Sequence, residues 1–340
     1  MNFDKKGNII TSKNDLLNIS KLKELCEKIK PFYEEYELLN YVDSGSESIV
    51  FNCFHKKTKK VFISKIIFNK KRDKIKNELI ISSKLKNKNI INVSSYSHII
   101  KNELWYIIME NGKYGNLSNF KRNILKRIYM CESLICYIAY QILNGLNYCH
   151  KCKIAHMDIK NKNVVIDEML NIKIIDFSIS IDYRDKKPSE EIKLPCLGTS
   201  FYMPLEVITS QRIKYKDLHK IDLYSFGVIL YNLTFGKYPY NLSYEDEDDY
   251  NKIYQKIFND VGIKEKKGNF SIYFLDFLSK LLEKDINKRI SLIEANNHFW
   301  IKGAKILLDE KEKLNNMTLF NYYILKDHIK EFNDYIGNNI

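Results

Sequence analysis

Residues 156–178 constrain this chain more than any other stretch. They read His156-Met157-Asp158-Ile159-Lys160-Asn161-Lys162-Asn163, then an apolar run Val164-Val165-Ile166-Asp167, and shortly after it Ile174-Ile175-Asp176-Phe177-Ser178. The apolar run has the length and β-branched content of a short strand, and a second strand ends at Asp176, so Asp158 and Asn163 lie on the loop ahead of the first. Two strands joined by a turn bring that loop and Asp176 together. A carboxylate able to accept a hydroxyl proton, beside an amide and a second carboxylate able to hold Mg²⁺, suits phosphoryl transfer, whose catalysis rests mostly on positioning and charge neutralisation. Taken singly, Asp and Asn near strand ends are ordinary turn residues. His156, Asp158, Lys160, Asn163 and Asp176 in this order and spacing are a far more specific pattern.

The rest of the composition narrows the class. At 340 residues, with 45% hydrophobic and 13% aromatic content, the chain can bury a sizeable core, and 5 Pro and 12 Gly leave no room for a long flexible linker. The formal net charge of +13 comes from Lys scattered along the whole length, with no recognisable nucleic-acid module, so no nucleic-acid partner is expected. Met1-Asn2-Phe3-Asp4-Lys5-Lys6 lacks the apolar segment of a signal peptide, and Asn2 stands where myristoylation needs a glycine. The longest apolar region, Phe226 to Phe235, is too short to span a bilayer. No membrane association is expected, and the expected location is cytoplasmic, with the nucleus left open. Seven Cys without a regular framework fit free thiols, and Cys149 and Cys152 near His150 and His156 lack the second pair that a zinc site needs.

The stretch 156–178 resembles the catalytic and metal-binding loops of eukaryotic protein kinases, and further parts occur in the order that family uses them. Asp43-Ser44-Gly45-Ser46-Glu47-Ser48-Ile49-Val50 is similar to the family's Gly-rich loop, but only Gly45 and Val50 match, with Asp43 and Ser48 replacing the first and third glycines. An Asp there opposes nucleotide binding by about 2 kcal/mol per unit charge at about 8 Å and an effective dielectric of about 20, less where the rim is wet. Val61-Phe62-Ile63-Ser64-Lys65-Ile66-Ile67 places one Lys among apolar residues, where it must find an anion. Glu78, on a helix-spaced segment downstream, can supply it, as in the family's Lys–Glu ion pair. Ile63 replaces a small Ala and should tighten the adenine slot. Trp105-Tyr106-Ile107-Ile108-Met109-Glu110-Asn111-Gly112 resembles the edge strand and hinge, with Met109 behind adenine and backbone groups of Glu110 and Gly112 on the base.

Residues 133–150 have helical apolar spacing and lead into the catalytic loop. Met157 stands where many kinases carry an Arg that grips a phosphate on the activation segment, so that clamp is not expected. Ser178 replaces the Gly of D-F-G. Gly198-Thr199-Ser200-Phe201-Tyr202-Met203-Pro204-Leu205-Glu206 is similar to the segment that receives a protein substrate, and Lys160 with Thr199 is of the serine/threonine kind. Asp222 begins a helix apolar on all sides and, by the resemblance, bonds the catalytic-loop backbone, while Arg289 pairs with Glu206. Lys162 and Asn232 occupy places where kinases that favour basic sites often carry acids. Tyr244-Glu245-Asp246-Glu247-Asp248-Asp249-Tyr250 reads as a solvated acidic loop.

The resemblance covers roughly residues 36–300 and implies an α+β fold of two lobes, a small antiparallel-sheet lobe with one main helix and a mainly helical large lobe. The expected organisation is an extension over 1–35 with a helix at 12–30, the small lobe at 36–109, the hinge at 110–115, the large lobe at 116–300, and a helical extension over 301–340. ATP and Mg²⁺ are the implied cofactors and a Ser or Thr hydroxyl of a protein the acceptor. Asp158 would be the base, Lys160 would steady the phosphoryl group, and Asn163 and Asp176 would hold the metal. Lys65, oriented by Glu78, would brace the phosphates, and Val42, Gly45, Val50, Ile63, Met109, Glu110 and Gly112 would line the nucleotide. Two other readings remain: a pseudokinase scaffold, fed by Asp43, Ser48, Ile63, Met157 and Ser178, and a small-molecule phosphotransferase, opposed by residues 198–206 and the Asp222 helix. The segments 1–35 and 301–340 are open to regulatory contacts.

Overall fold

The computed structural model describes residues 8–10, 16–18, 32–44, 48–67, 72–99, 104–123, 132–167, 171–247, 249–260 and 270–303. Contacts divide the chain into two units, one of residues 1–83 with 91–111 and one of 84–90 with 112–340.

In the first unit, β1 (Asn8–Ile10) and β2 (Leu16–Asn18) pair antiparallel, with Ile9 opposite Leu17. Of the helix expected over 12–30, residues 16–18 are instead a strand, and 12–15 and 19–30 lie outside the described residues. Ile9-Ile10 offers Leu16-Leu17 a strand partner. The short helix α1 (Phe32–Glu35) leads into an antiparallel sheet of order β3-β4-β5-β7-β6. Its strands are β3 (Tyr36–Ser44), β4 (Ser48–His55), β5 (Lys60–Ile67), β6 (Val93–Ile99) and β7 (Leu104–Glu110). Every second residue of β4 is buried, Ile49, Phe51 and Cys53, the period of a strand with one face on a core. They join Tyr36, Leu38, Ile66, Tyr106 and Ile108 in one cluster. The helix α2 (Arg72–Lys84), between β5 and β6 in sequence, buries Ile75, Glu78, Leu79 and Ser82, one face at helical spacing.

Residues 84–90 belong with the second unit because Asn89 is bound there. Its amide donates to Gln141 Oε1 at 3.1 Å and to Ile172 O at 2.9 Å, and its own carbonyl accepts from Ile174 N at 2.9 Å. The small lobe expected as an unbroken 36–109 is therefore interrupted. The second unit contains α3 (Leu117–Asn123), α4 (Glu132–Lys151), β8 (Ile154–Ala155), β9 (Val164–Ile166), β10 (Ile172–Ile174), β11 (Ile181–Asp182) and β12 (Glu191–Lys193). Then come α5 (Leu205–Ile208), β13 (Arg212–Lys214), α6 (His219–Phe235), α7 (Tyr250–Asn259), α8 (Ile272–Leu281) and α9 (Leu292–Asn297). The short strands form three antiparallel pairs, β8 with β11, β9 with β10 and β12 with β13.

The α6 helix is buried on all sides and ends at Gly236, which takes the left-handed conformation that suits a residue without Cβ. At Gly227 a Cβ would lie 2.9 Å from Leu281 Cβ and 3.0 Å from Leu282 Cδ2, so α6 and α8 meet across a glycine. Gly227→Ala is expected to cost about 1–3 kcal/mol by overpacking, read as a lower denaturant midpoint at unchanged slope. The acidic block at 244–250 differs from the solvated loop expected. Asp246 is fully buried, accepting from Ser243 N and held by Lys252 at 2.7 Å and Lys256 at 2.6 Å, while Glu245 and Glu247 stay exposed. Hydrogen bonds from the two lysines, first of all, hold its carboxyl well below the usual range. Of the extension expected at 301–340, residues 301–303 are helical and 304–340 lie outside the described residues. No helix among the described residues is long and apolar enough to cross a membrane.

Candidate active site

In the second unit the pair β8–β11 and the pair β9–β10 bracket the loop 156–163. Asp158 is the hub of that loop. Its Oδ2 accepts from Lys160 Nζ at 2.7 Å and Asn163 Nδ2 at 3.0 Å; its Oδ1 accepts from Thr199 N at 3.1 Å and Thr199 Oγ1 at 3.0 Å. Lys160 Nζ also donates to Thr199 Oγ1 at 2.8 Å, tying the segment at 198–206 to the loop. Four donors on one half-buried carboxylate fix its direction. Gly198 has φ of +120°, and a Cβ there would sit 3.1 Å from Met157 O and 3.5 Å from Asp158 Oδ1, so this approach to the loop is open only to glycine.

Asn163 turns its amide nitrogen to two acceptors, Asp158 O at 2.8 Å and Asp158 Oδ2, and its side-chain oxygen makes neither of these bonds. Its backbone oxygen accepts from Ile175 N at 3.0 Å, beside Asp176. Amide oxygen and carboxylate are the hard donors that Mg²⁺ takes, so the residues present fit that ion. Asp176 and Met157 are non-glycine residues with φ of +69° and +68°. Left-handed backbone at two residues of one loop system is the kind of strain that gathers at functional sites.

Asp222 on α6 holds the loop from beneath. It is fully buried, its Oδ2 accepts from His156 N at 2.8 Å and faces His150 Nε2 at 2.7 Å, and its Oδ1 accepts from Met157 N at 2.8 Å. Burial alone would raise its carboxyl; the hydrogen bond from His150 Nε2, first of all, and that from His156 N outweigh burial and hold it below the usual range. His156 reaches Ile175 O at 3.0 Å through Nε2 and packs on the ring of buried Phe177. The Met157 side chain is buried among Ala155, Tyr183, Leu194, Met203, Val207, Ile213, Leu218 and Ile221. An apolar cluster therefore joins the activation segment to the loop where an Arg–phosphate clamp was not expected. Glu206 and Arg289 pair, as the resemblance implies, at 2.5 Å with both side chains buried.

His219, at the start of α6, lies near this network with its ring 6.1 Å from that of His150. Burial, first of all, lowers its pKa from 6.5 to about 4. The folded state thus binds that proton less readily than the unfolded one, and the contribution to stability is full above pH 6.5 and lost as pH falls through about 4. Wild type is expected to lose up to about 3 kcal/mol more than His219→Leu over this window, checked by urea unfolding at stepped pH.

In the first unit, Lys65 Nζ donates to Glu78 Oε1 at 2.8 Å and Oε2 at 3.0 Å, with both side chains largely buried. Lys65 stands on β5 opposite Val50 on β4 and Ile107 on β7. Ile63 is opposite Met109, which is buried, and Glu110 N donates to Asn92 O at 3.1 Å. Val42 is 38% exposed near the end of β3, and Gly45 lies outside the described residues. Gly112, in the second unit, allows close passage over Val165, whose Cβ would be 2.8 Å from a Cβ at 112. Sequence reading assigned no role here to His150, Tyr183, Ser180 or Asn89. Their contacts are long-range, Ser180 Oγ for one donating to His156 O at 3.0 Å, and no local spacing marks them, although His150 stands at the end of the helix feeding the catalytic loop.

Residues 36–301 match the family model described as protein kinase domain. The chain is 32% identical over 226 residues to a probable serine/threonine-protein kinase, mkcD, of Dictyostelium discoideum, covering 64% of this chain and 31% of that protein. It is 28% identical over 292 residues to the SNF1-related protein kinase catalytic subunit alpha KIN12 of Arabidopsis thaliana, covering 83% and 54%. It is also 28% identical over 283 residues to the serine/threonine-protein kinase pakA of Talaromyces marneffei, covering 82% and 41%. The chain therefore belongs to the protein kinase family. It spans between about a third and about half of the length of these relatives.

Proposed function

We propose that this chain transfers the γ-phosphoryl group of ATP, with Mg²⁺, to Ser or Thr hydroxyls of protein substrates. The observation that carries the reading is the Asp158 carboxylate, aimed by Lys160, Asn163 and Thr199 as a base for a hydroxyl must be. Asp158 orients and deprotonates the acceptor, and Lys160 steadies the phosphoryl group in transfer. Asn163 and Asp176 hold Mg²⁺, which neutralises phosphate charge when bound. Lys65, held by Glu78, braces the phosphates, and Val42, Gly45, Val50, Ile63, Met109, Glu110 and Gly112 serve the nucleotide. Every charged group of this scheme is present; Asp43, Ser48, Ile63, Met157 and Ser178 touch helper positions only, which favours turnover over a scaffold.

The test is incorporation of labelled phosphate from ATP and Mg²⁺ into a mixed protein substrate by wild type and Lys65→Met. Loss of one phosphate donor should lower the rate by about 10²-fold or more. Acid hydrolysis of the product should release phosphoserine or phosphothreonine. Equal silence of both proteins, with ATP bound or ignored in a thermal shift, would transfer the reading to a scaffold.

A further inference from the structure

Tyr183 follows β11 in the activation segment and is buried. Its hydroxyl lies 3.1 Å from His150 Nδ1, and the other imidazole nitrogen lies 2.7 Å from Asp222 Oδ2. A carboxylate can only accept here, so Nε2 carries the proton facing Asp222; in the neutral imidazole Nδ1 then accepts from the tyrosine hydroxyl. Burial, with the charge of Asp222 second, raises the Tyr183 phenol far above its ordinary range, so the O–H is retained as donor. Asp222 in turn accepts from the backbone N–H of His156 and Met157, the two residues before Asp158. One chain of hydrogen bonds thus runs from the activation segment through α4 and α6 to the backbone that carries the base.

We propose that Tyr183 is a positioning residue for phosphoryl transfer, its hydroxyl fixing His150 and, through Asp222, the backbone of the catalytic loop. The proposal rests on the kinase reading of Asp158. The ring of Tyr183 has separate work: it stacks on Tyr215 at 6.2 Å, lies 5.9 Å from Lys153 Nζ and packs in the cluster with Met157. Tyr183→Phe keeps all of that and deletes only the hydroxyl. Without it His150 Nδ1 has lost its donor, and the imidazole is free to turn away from Asp222. The grip on His156 and Met157 then loosens while the ATP-binding residues of the other unit are untouched.

The experiment compares wild type, Tyr183→Phe, His150→Gln and the double variant. The amide nitrogen of Gln reaches about where imidazole Nε2 lies, so His150→Gln keeps the donor to Asp222 and removes the link to Tyr183. Tyr183→Phe is expected to lower kcat by about tenfold with KM for ATP unchanged, and to speed hydrogen exchange of the His156 and Met157 amides by about tenfold. The double variant is expected to be no slower than His150→Gln, because both changes cut the same chain. Independent, multiplying losses would overturn the proposal, as would wild-type kcat and wild-type amide exchange in Tyr183→Phe. A lower melting temperature with unchanged kcat per folded molecule and unchanged exchange would reduce Tyr183 to packing and overturn it too. If wild type transfers no phosphate at all, the kinase reading falls, and the exchange rates at His156 and Met157 still decide whether Tyr183 holds the loop.

Discussion

Asp158→Asn is expected to lower phosphoryl transfer by about 10³-fold, within the range that a positioned general base contributes. The substitution removes the basic oxygen, and it also disturbs the site that aims it. All four side-chain contacts of Asp158 are donors directed at its carboxylate, two on each oxygen. An Asn offers one oxygen and one NH₂, so one pair of donors, either Lys160 with Asn163 or the two groups of Thr199, meets another donor. The loss should therefore fall on kcat, with binding of ATP little changed, because none of the residues proposed to hold the nucleotide in the first unit is altered. Single-turnover transfer with saturating ATP and Mg²⁺ checks this. A loss below about tenfold would mean that the carboxylate does not take the hydroxyl proton and that positioning alone carries the rate.

Asp158 also marks where the sequence was legible. The catalytic-loop residues could be read because their spacing along one short stretch fixes their proximity: Asp158 to Asn163 is a single loop and one 3-10 turn, Asn161–Asn163. The burial of α6 was equally visible, since apolar residues all round a helix admit no solvent face. What could not be read is held by contacts distant in sequence. Asn89 belongs with Gln141 and Ile172, 52 and 83 positions away, so the edge of the small lobe is set by one buried amide that no local pattern announces. Tyr183 meets His150, 33 positions away in sequence, a contact no local pattern announces. Asp246 looked solvated because five acids surround one another in sequence; its burial depends on Lys252 and Lys256 arriving from α7. The strand at Leu16–Asn18 was missed for a related reason. Helical spacing over 12–30 took no account of Ile9 and Ile10, which pair with it.

The largest effect on stability is expected at Arg289. Its guanidinium is buried and each donor nitrogen is engaged: Nε on Glu283 O at 2.8 Å, Nη1 on Glu206 Oε1 and on Lys220 O at 3.0 Å, Nη2 on Glu206 Oε2 and on Lys284 O, both at 3.3 Å. The ring of Tyr224 lies 4.9 Å from its central carbon. Truncating either charge leaves the other buried without its counter-ion, which costs about 3–5 kcal/mol, a large fraction of the stability of an ordinary domain. Arg289→Ala and Glu206→Ala are each expected to show losses in that range by urea unfolding. The two should not add. In Arg289→Met with Glu206→Leu, apolar groups of similar length replace the pair, no buried charge is left alone, and much of the single-variant loss should return. The main-chain oxygens of Lys220, Glu283 and Lys284 would still lack their donor, so recovery should stop short of wild type. If the double variant instead lost the sum of both singles, the pair would be two separate anchors for Glu206 and for the 283–289 loop, and not one ion pair tying the activation segment to it.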